Sequence, residues 1–368
     1  MKIAYISQSK LPSRAANSVH VMKMCQAIAS HGHSVALWGL RPVAEAFSRK
    51  SSIFLSYGVR RNFSLFRLLH FRGIYRFYVL GAVIGARVWN PDIVYCRCIQ
   101  SARFAARLRL PVYFEAHHPL EGFDNLESAF RELVASPYLK KLIFITKALE
   151  EYFTSAYPEI SCATLVAPDG ADPIAEEYVP PPRADARFKV GYVGQLHKGK
   201  GMEIIARLAE LCPWADFSVV GGDEHIIAEW KLQCKDIVNL HFVGFVPHSE
   251  VHIHIIGFDA VLLPNQRVVG VAGNPLLNIS EWTSPLKAFE YMAAGSAIVS
   301  SNLPVLREVF ADGVNALLCD PGQVEQWQQA ILRLSSEPEL RATLGANARR
   351  DFMEKYSWSA RARAVLAE

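Results

Sequence analysis

The chain has 368 residues, of which 51% are hydrophobic and 20% charged, with a formal net charge of +4. That length exceeds one ordinary core and predicts two domains of ordinary size. The composition excludes a disordered chain, and so small a basic excess excludes a nucleic-acid binder while still suiting an anionic ligand or an anionic membrane surface.

The opening MKIAYIS reads as a strand, not as a basic segment followed by an apolar one, so no signal peptide is expected. Seven cysteines at irregular spacings fit reduced thiols, and the most apolar window, residues 77–89, is too short for a membrane span and contains Arg87. The expectation is a cytoplasmic protein, soluble or peripheral on the inner face of the cell membrane.

KIAYIS is followed by a helix with Val21, Met24, Cys25 and Ile28 at helical spacing, which Gly32 stops. SVALWGL, DIVYCR, VYFEAHH, LIFIT and TLVAPD are further short β-rich runs separated by helices, predicting a parallel sheet covered on both faces. Residues 60–78, RRNFSLFRLLHFRGIYRFY, interleave five arginines with aromatics and leucines. They predict a basic–aromatic surface helix, either lying on an anionic membrane or burying its apolar side in the domain with its arginines in water.

The proline-rich YVPPPRADAR, residues 178–187, reads as a linker between a domain at 1–177 and a second at 188–355. A second alternating series follows it, through FKVGYVG, DFSVVGG, NLHFVGF, DAVLLPN, AIVSS and NALLCD, to two final helices. Each half is therefore a doubly wound α/β domain, whose ligands bind beyond the carboxyl ends of the strands.

Two stretches in the second half carry phosphate chemistry. In SPLKAFEYMAAG, residues 284–295, Ser284 is the expected N-cap and Pro285 the first helical residue. Such a helix start offers unpaired N–H groups and partial positive charge, and Lys287 adds a full one. Glu290, one turn on, is placed to accept from a sugar diol. In GYVGQLHKGKG, residues 191–201, glycines let the backbone approach a phosphate and Lys200 neutralises it; an ordinary glycine turn with surface lysines is the plain alternative.

GYVGQL with its following KG, then VGFVP, then SPLKAFEYMAAG, with VAPDGAD before the linker, resembles the retaining nucleotide-sugar glycosyltransferases of family 4. The resemblance implies a GT-B fold, two Rossmann-like domains facing across a cleft, with donor nucleotide on the second and acceptor on the first. It also implies a last helix, about residues 356–368, that crosses back to the first domain. The activity it implies is transfer of a sugar, hexosyltransferase-like and with retention, from a nucleoside diphosphate to the hydroxyl of a glycan or lipid-linked acceptor. Surface polysaccharide, lipopolysaccharide or glycolipid synthesis is the implied setting. No metal and no cofactor are expected, the nucleotide sugar being a co-substrate.

By position, the resemblance gives Lys200 the donor pyrophosphate, Ser284, Pro285 and Leu286 the backbone amides toward diphosphate and sugar, and Glu290 the ribose hydroxyls. His117 in FEAHH matches the family histidine that touches the donor sugar, and it orients the sugar or stabilises charge without acting as a base. Two departures stand out: Gln195 occupies the place of an arginine, with Lys287 as the compensating cation. Trp282 stands where the first of two paired glutamates is usual, Glu281 being one place off.

The loop PSRAANSVH, residues 12–20, follows the first strand where the resemblance implies a loop near acceptor and donor phosphate, with Asn17, Ser18 and His20 as contacts; simple N-capping by Asn17 or Ser18 is the alternative. Cys96-Arg97-Cys98, His252-Ile253-His254 and His31-Gly32-His33 lack zinc spacing. A nucleotide-sugar 2-epimerase of the same fold and a non-catalytic binding or scaffold protein remain as alternatives.

Overall fold

The computed structural model describes residues 1–42, 50–69, 75–121, 124–174, 187–269 and 278–367. The chain divides into two compact units, Met1–Asp169 with Trp358–Glu368, and Gly170–Ser357. Residues 178–186 of the expected linker lie outside the described residues, and Arg187 directly precedes the first strand of the second unit.

The first unit has seven parallel strands: β1 (Lys2–Lys10), β2 (Ser34–Arg41), β3 (Ser64–Leu69), β4 (Ile93–Cys96), β5 (Val112–Ala116), β6 (Leu139–Phe144) and β7 (Ala163–Val166). Their order across the sheet is β3-β2-β1-β4-β5-β6-β7. Ile3 to Ser7 of β1 and all of β4 are buried, because helices cover both faces and leave no side chain a wet side. Register is carried by pairs such as Tyr5 with Tyr95, whose rings stack at 4.6 Å. The helices that bear on the site are α1 (Ala16–Ser30), α2 (Lys50–Ser56), α3 (Tyr75–Trp89), α4 (Ile99–Arg107), α5 (Asp124–Val134) and α6 (Lys147–Ala156). Strand order reverses between β1 and β4, so the loops beyond the carboxyl ends of those strands are where a ligand is expected.

The single surface helix expected over residues 60–78 is not formed. Ser64–Leu69 is instead the edge strand β3, paired in register with β2 from Ala36↔Ser64 to Arg41↔Leu69. The open edge of β2 offers a ladder, and alternation puts Leu65 inside while Phe66 stacks on Trp38 at 5.1 Å. Helix resumes only at Tyr75, and residues 70–74 of the stretch lie outside the described residues.

The second unit has six parallel strands: β8 (Phe188–Val193), β9 (Ala215–Val220), β10 (Leu240–Gly244), β11 (Ala260–Leu263), β12 (Ala297–Ser301) and β13 (Leu317–Cys319), in the order β10-β9-β8-β11-β12-β13. Its helices include α7 (Met202–Leu211), α8 (Glu224–Gln233), α9 (Val251–Ile255), α10 (Leu286–Ala293), α11 (Val324–Ser336) and α12 (Pro338–Asp351). Two cores lie on the two faces of the sheet, one around Tyr192, Phe217 and Trp327 and one around Phe289, Tyr291 and Phe352. Here the order reverses between β8 and β11. The last helix, α13 (Trp358–Leu366), belongs to the first unit and packs on α1. Among the described residues no helix is long and apolar enough to cross a membrane.

Candidate functional site

In the first unit the site grows from a buried carboxylate. Glu115 is the fourth residue of β5, wholly buried, and the pleat turns it toward β4 and α1. Its Oε1 lies 2.6 Å from His117 Nε2, 3.1 Å from His20 Nε2 and 3.4 Å from Arg97 Nε. Its Oε2 accepts from Tyr95 Oη and lies 3.0 Å from Arg361 Nη2. Burial by itself would raise this carboxyl, but Arg361, His20 and His117 together hold it well below the usual range.

Arg361, on α13, also donates to the carbonyls of Pro168 (2.9 Å) and Ala167 (3.0 Å). Asp169 completes the group, its Oδ1 2.6 Å from His20 Nδ1. Burial opposes its ionisation, yet His20 and Arg361 keep it below its ordinary value. Two carboxylates thus offset two guanidiniums in a space closed to water, the condition under which buried charges are tolerated.

His117 follows directly on β5 and is the member that reaches outward, its side chain 21% exposed. The Arg97 guanidinium lies against both ring nitrogens, at 2.7 Å from Nε2 and 3.0 Å from Nδ1. Burial first, and then Arg97, push this imidazole down to about 4 against the pull of Glu115. His117 is therefore neutral near pH 7 and suited to hydrogen bonding, not to giving up a proton. Glu115, fully enclosed, is not presented as a nucleophile. His118 donates through Nδ1 to its neighbour's carbonyl at Pro119, 2.7 Å away.

The loop 12–20 splits. Ala15, not Asn17 or Ser18, is the N-cap of α1, and no side chain caps it. Ser18 is one turn too late for that role and bonds back to the carbonyls of Ala15 (2.7 Å) and Ser13 (3.0 Å). Asn17 is exposed, and its carbonyl accepts from Arg97 Nη1 at 3.2 Å. His20 is 1% exposed and, with its ring edge-on to Trp358 at 5.1 Å, is part of the buried cluster and not of a surface.

In the second unit β8 ends in Gly194, whose φ of 143° is a backbone state that favours glycine. Tyr192 Oη donates to the Gln195 carbonyl at 2.7 Å and pins the turn. Two further glycines with positive φ, Gly199 and Gly201, bracket Lys200; a Cβ on Gly201 would stand 2.1 Å from the Pro264 carbonyl oxygen. Gly201 is the N-cap of α7, so Lys200 sits at that helix start, half-buried, and burial pushes its ammonium down to about 8.

Lys287 reaches the same turn from α10. Its Nζ is closed off from water, has no hydrogen-bond partner among the described residues, and stands 3.7 Å from the centre of the Tyr192 ring. A Cβ on Gly194 would come within 2.7 Å of it. Burial, and then the like charge of Lys200, set this ammonium well below its ordinary value, with Glu290 pulling the other way. Gln195, which the resemblance sets in the place of a cation, has a buried Oε1 without a partner among the described residues.

The helix start differs by one residue from expectation: Pro285 is the N-cap (φ −76°, ψ 123°) and Leu286 the first helical residue, with Ser284 before it. Pro285 has no N–H and donates nothing, so the free helix-start amides are those of Leu286 and Lys287. Ser284 is buried. Glu290 lies 2.7 Å from His248 Nε2, the histidine that follows VGFVP and whose Nδ1 is buried without a partner among the described residues. Glu281 is exposed and Trp282 half-buried in the turn before the helix.

Sequence reasoning did not find Arg97, Asp169, Arg361 or His248. Asp169 was inside a quoted motif, and His248 directly followed another. Arg361 carried no local signal, since it lies 246 positions beyond Glu115 and meets it only in the folded unit.

Residues 175–351 match the model of the family described as glycosyl transferases group 1. A 2-deoxystreptamine glucosyltransferase of Streptomyces kanamyceticus is 26% identical over 262 residues, covering 64% of this chain and 62% of that protein. The chain thus spans less than two thirds of that relative's length. Among solved structures, a sucrose-phosphate synthase of Thermosynechococcus elongatus superposes with a TM-score of 0.73 at 16% identity, over 98% of this chain and 96% of that one. The Anabaena protein HepE, in complex with UDP-glucose, gives 0.70 at 17% identity over 99% and 98%. These likenesses show the fold, the two Rossmann-like domains of the GT-B class.

Proposed function

We propose that this chain is a glycosyltransferase that takes a nucleoside-diphosphate sugar on its second unit and transfers the sugar, with retention and without a metal, to an acceptor hydroxyl. The buried Nζ of Lys287 beside Lys200, without a hydrogen-bond partner among the described residues, carries the reading. The enclosed Lys287 and the half-buried Lys200 stand at a glycine turn and a helix start, and a diphosphate there would face both ammonium groups. The match of residues 175–351 to group 1 glycosyltransferases and the UDP-glucose held by HepE support a nucleotide sugar as that ligand.

When the glycosidic bond breaks, charge develops on the diphosphate. Lys200, Lys287 and the amides of Leu286 and Lys287 face it already oriented, so the charge is stabilised without reorganisation. Glu290, steadied by His248, accepts from the ribose diol. In the first unit the neutral His117 suits a hydrogen bond to a hydroxyl, and no exposed carboxylate among the described residues beside it offers a nucleophile.

The test is thermal stability with nucleoside diphosphates and nucleotide sugars, with and without EDTA, on the wild type and on Lys200→Ala and Glu290→Gln. At one hundred times Kd a true donor stabilises by about 2.7 kcal/mol. A shift with one base, kept in EDTA and lost in Lys200→Ala, supports the reading; Glu290→Gln should shrink the preference for UDP over a 2′,3′-dideoxy analogue. NMR of the product anomer then decides retention. No shift with any nucleotide overturns the donor site, and binding without turnover on any acceptor favours a non-catalytic protein.

A further inference from the structure

Helix α3 is apolar on two sides. Tyr78, Val79, Ala82, Val83 and Ala86 are buried in the first unit, as the inner face of such a helix should be. Yet Phe77 (71% exposed), Leu80 (43%), Ile84 (46%) and Val88 (81%) recur three to four residues apart and form a second stripe facing outward. Beside it runs the edge strand β3, whose Leu68 Cδ1 would lie 3.2 Å from a Cβ on the exposed Gly81 and which adds the exposed Phe66 and Leu69. A helix apolar on both sides ordinarily sits inside a protein or against lipid.

Charge identifies what covers the stripe. Residues 46–91 contain eight lysines and arginines and no aspartate or glutamate, so this stretch is +8 while the rest of the chain is −4. Arg76 and Arg87, both exposed, stand near the two ends of the helix, about 16 Å apart along its axis. Exposed Arg60 and Arg61 lie just before β3. A second copy of the chain would bring these like charges face to face. An anionic bilayer satisfies both features, taking the stripe at its acyl boundary and the guanidiniums among its phosphates.

We propose that the outer face of α3 docks the protein on an anionic lipid bilayer, with Phe77, Leu80, Ile84 and Val88 as the inserted side chains and Arg76 and Arg87 as the headgroup contacts. This docking is independent of the donor-site reading.

Co-sedimentation of the full chain with vesicles of phosphatidylglycerol and phosphatidylcholine, against phosphatidylcholine alone, tests it. Binding is expected only to the anionic vesicles, weakening at least about tenfold between 0.1 and 0.5 M salt. The pairs Phe77→Ser with Val88→Ser, and Arg76→Glu with Arg87→Glu, should each lower it at least about tenfold with unchanged melting, since all four side chains are exposed. Equal binding to neutral vesicles, or full binding by both variants, overturns the proposal. So does a concentration-dependent dimer in sedimentation velocity that the same variants dissolve, which would make a second copy the occupant.

Discussion

Lys287 and Lys200 converge on one turn in the second unit, and the buried Nζ of Lys287 has no hydrogen-bond partner among the described residues, Glu290 being the carboxylate that favours its charged form. Replacing Lys287 by Met keeps an unbranched apolar side chain, one atom shorter, while removing the buried amine over the Tyr192 ring. Such a change should stabilise the free protein, by about 1–3 kcal/mol, and abolish the stabilisation given by UDP. Paired melts with and without UDP read both effects. The pH dependence has opposite signs in the two states. Lys200 titrates near 8 when folded, below its unfolded value, so the unfolded chain holds more protons above pH 8. Stability of the free protein from this group therefore rises with pH beyond 8, whereas affinity for a diphosphate, which needs the charged form, falls. Both lysines were legible in the sequence from their places near glycines and a helix start. Their burial was not, because it depends on Tyr192 and the turn at Gly194, brought together by the sheet.

At the scale of elements, alternating runs showed six of the seven strands of the first sheet. The seventh, β3, was hidden because its arginines and aromatics resemble a helical surface pattern, and only the open edge of β2 decides for a strand. Helix starts were misjudged by two or three residues at α1 and by one at α10, where polar side chains suggested caps that the backbone does not use. The turn into α7 was read correctly from its glycines and can be tested as an element. Gly201→Ala places a methyl 2.1 Å from a backbone oxygen at a φ of 86° and should destabilise by at least about 2 kcal/mol. Gly313→Ala, also at positive φ but with nothing within 4 Å, should lose only about 1 kcal/mol. Urea unfolding of the two variants makes the comparison.

At the scale of the whole molecule, the first unit is closed by a segment that is remote in sequence. Arg361→Met would leave Glu115 and Asp169 with their charges only partly matched and should destabilise the first unit by about 3–5 kcal/mol. Limited proteolysis should then cut within residues 1–169 while the second unit resists; equal resistance of both would refute the role given to this arginine. No local pattern could have announced this, because the partners are brought together only by the folded sheet and α13.

The position of Arg361 also orders events during synthesis. The second unit is one continuous run of chain and has every residue it needs once Ser357 has been added. The first unit begins earlier but finishes later: between Asp169 and Arg361 lie 192 steps of elongation. At roughly 5–20 residues per second that is a wait of about 10–40 s. Throughout it the nascent first unit carries Glu115 and Asp169 with Arg97 but without Arg361, the second guanidinium that offsets them. The half of the protein made first is thus the last to become native.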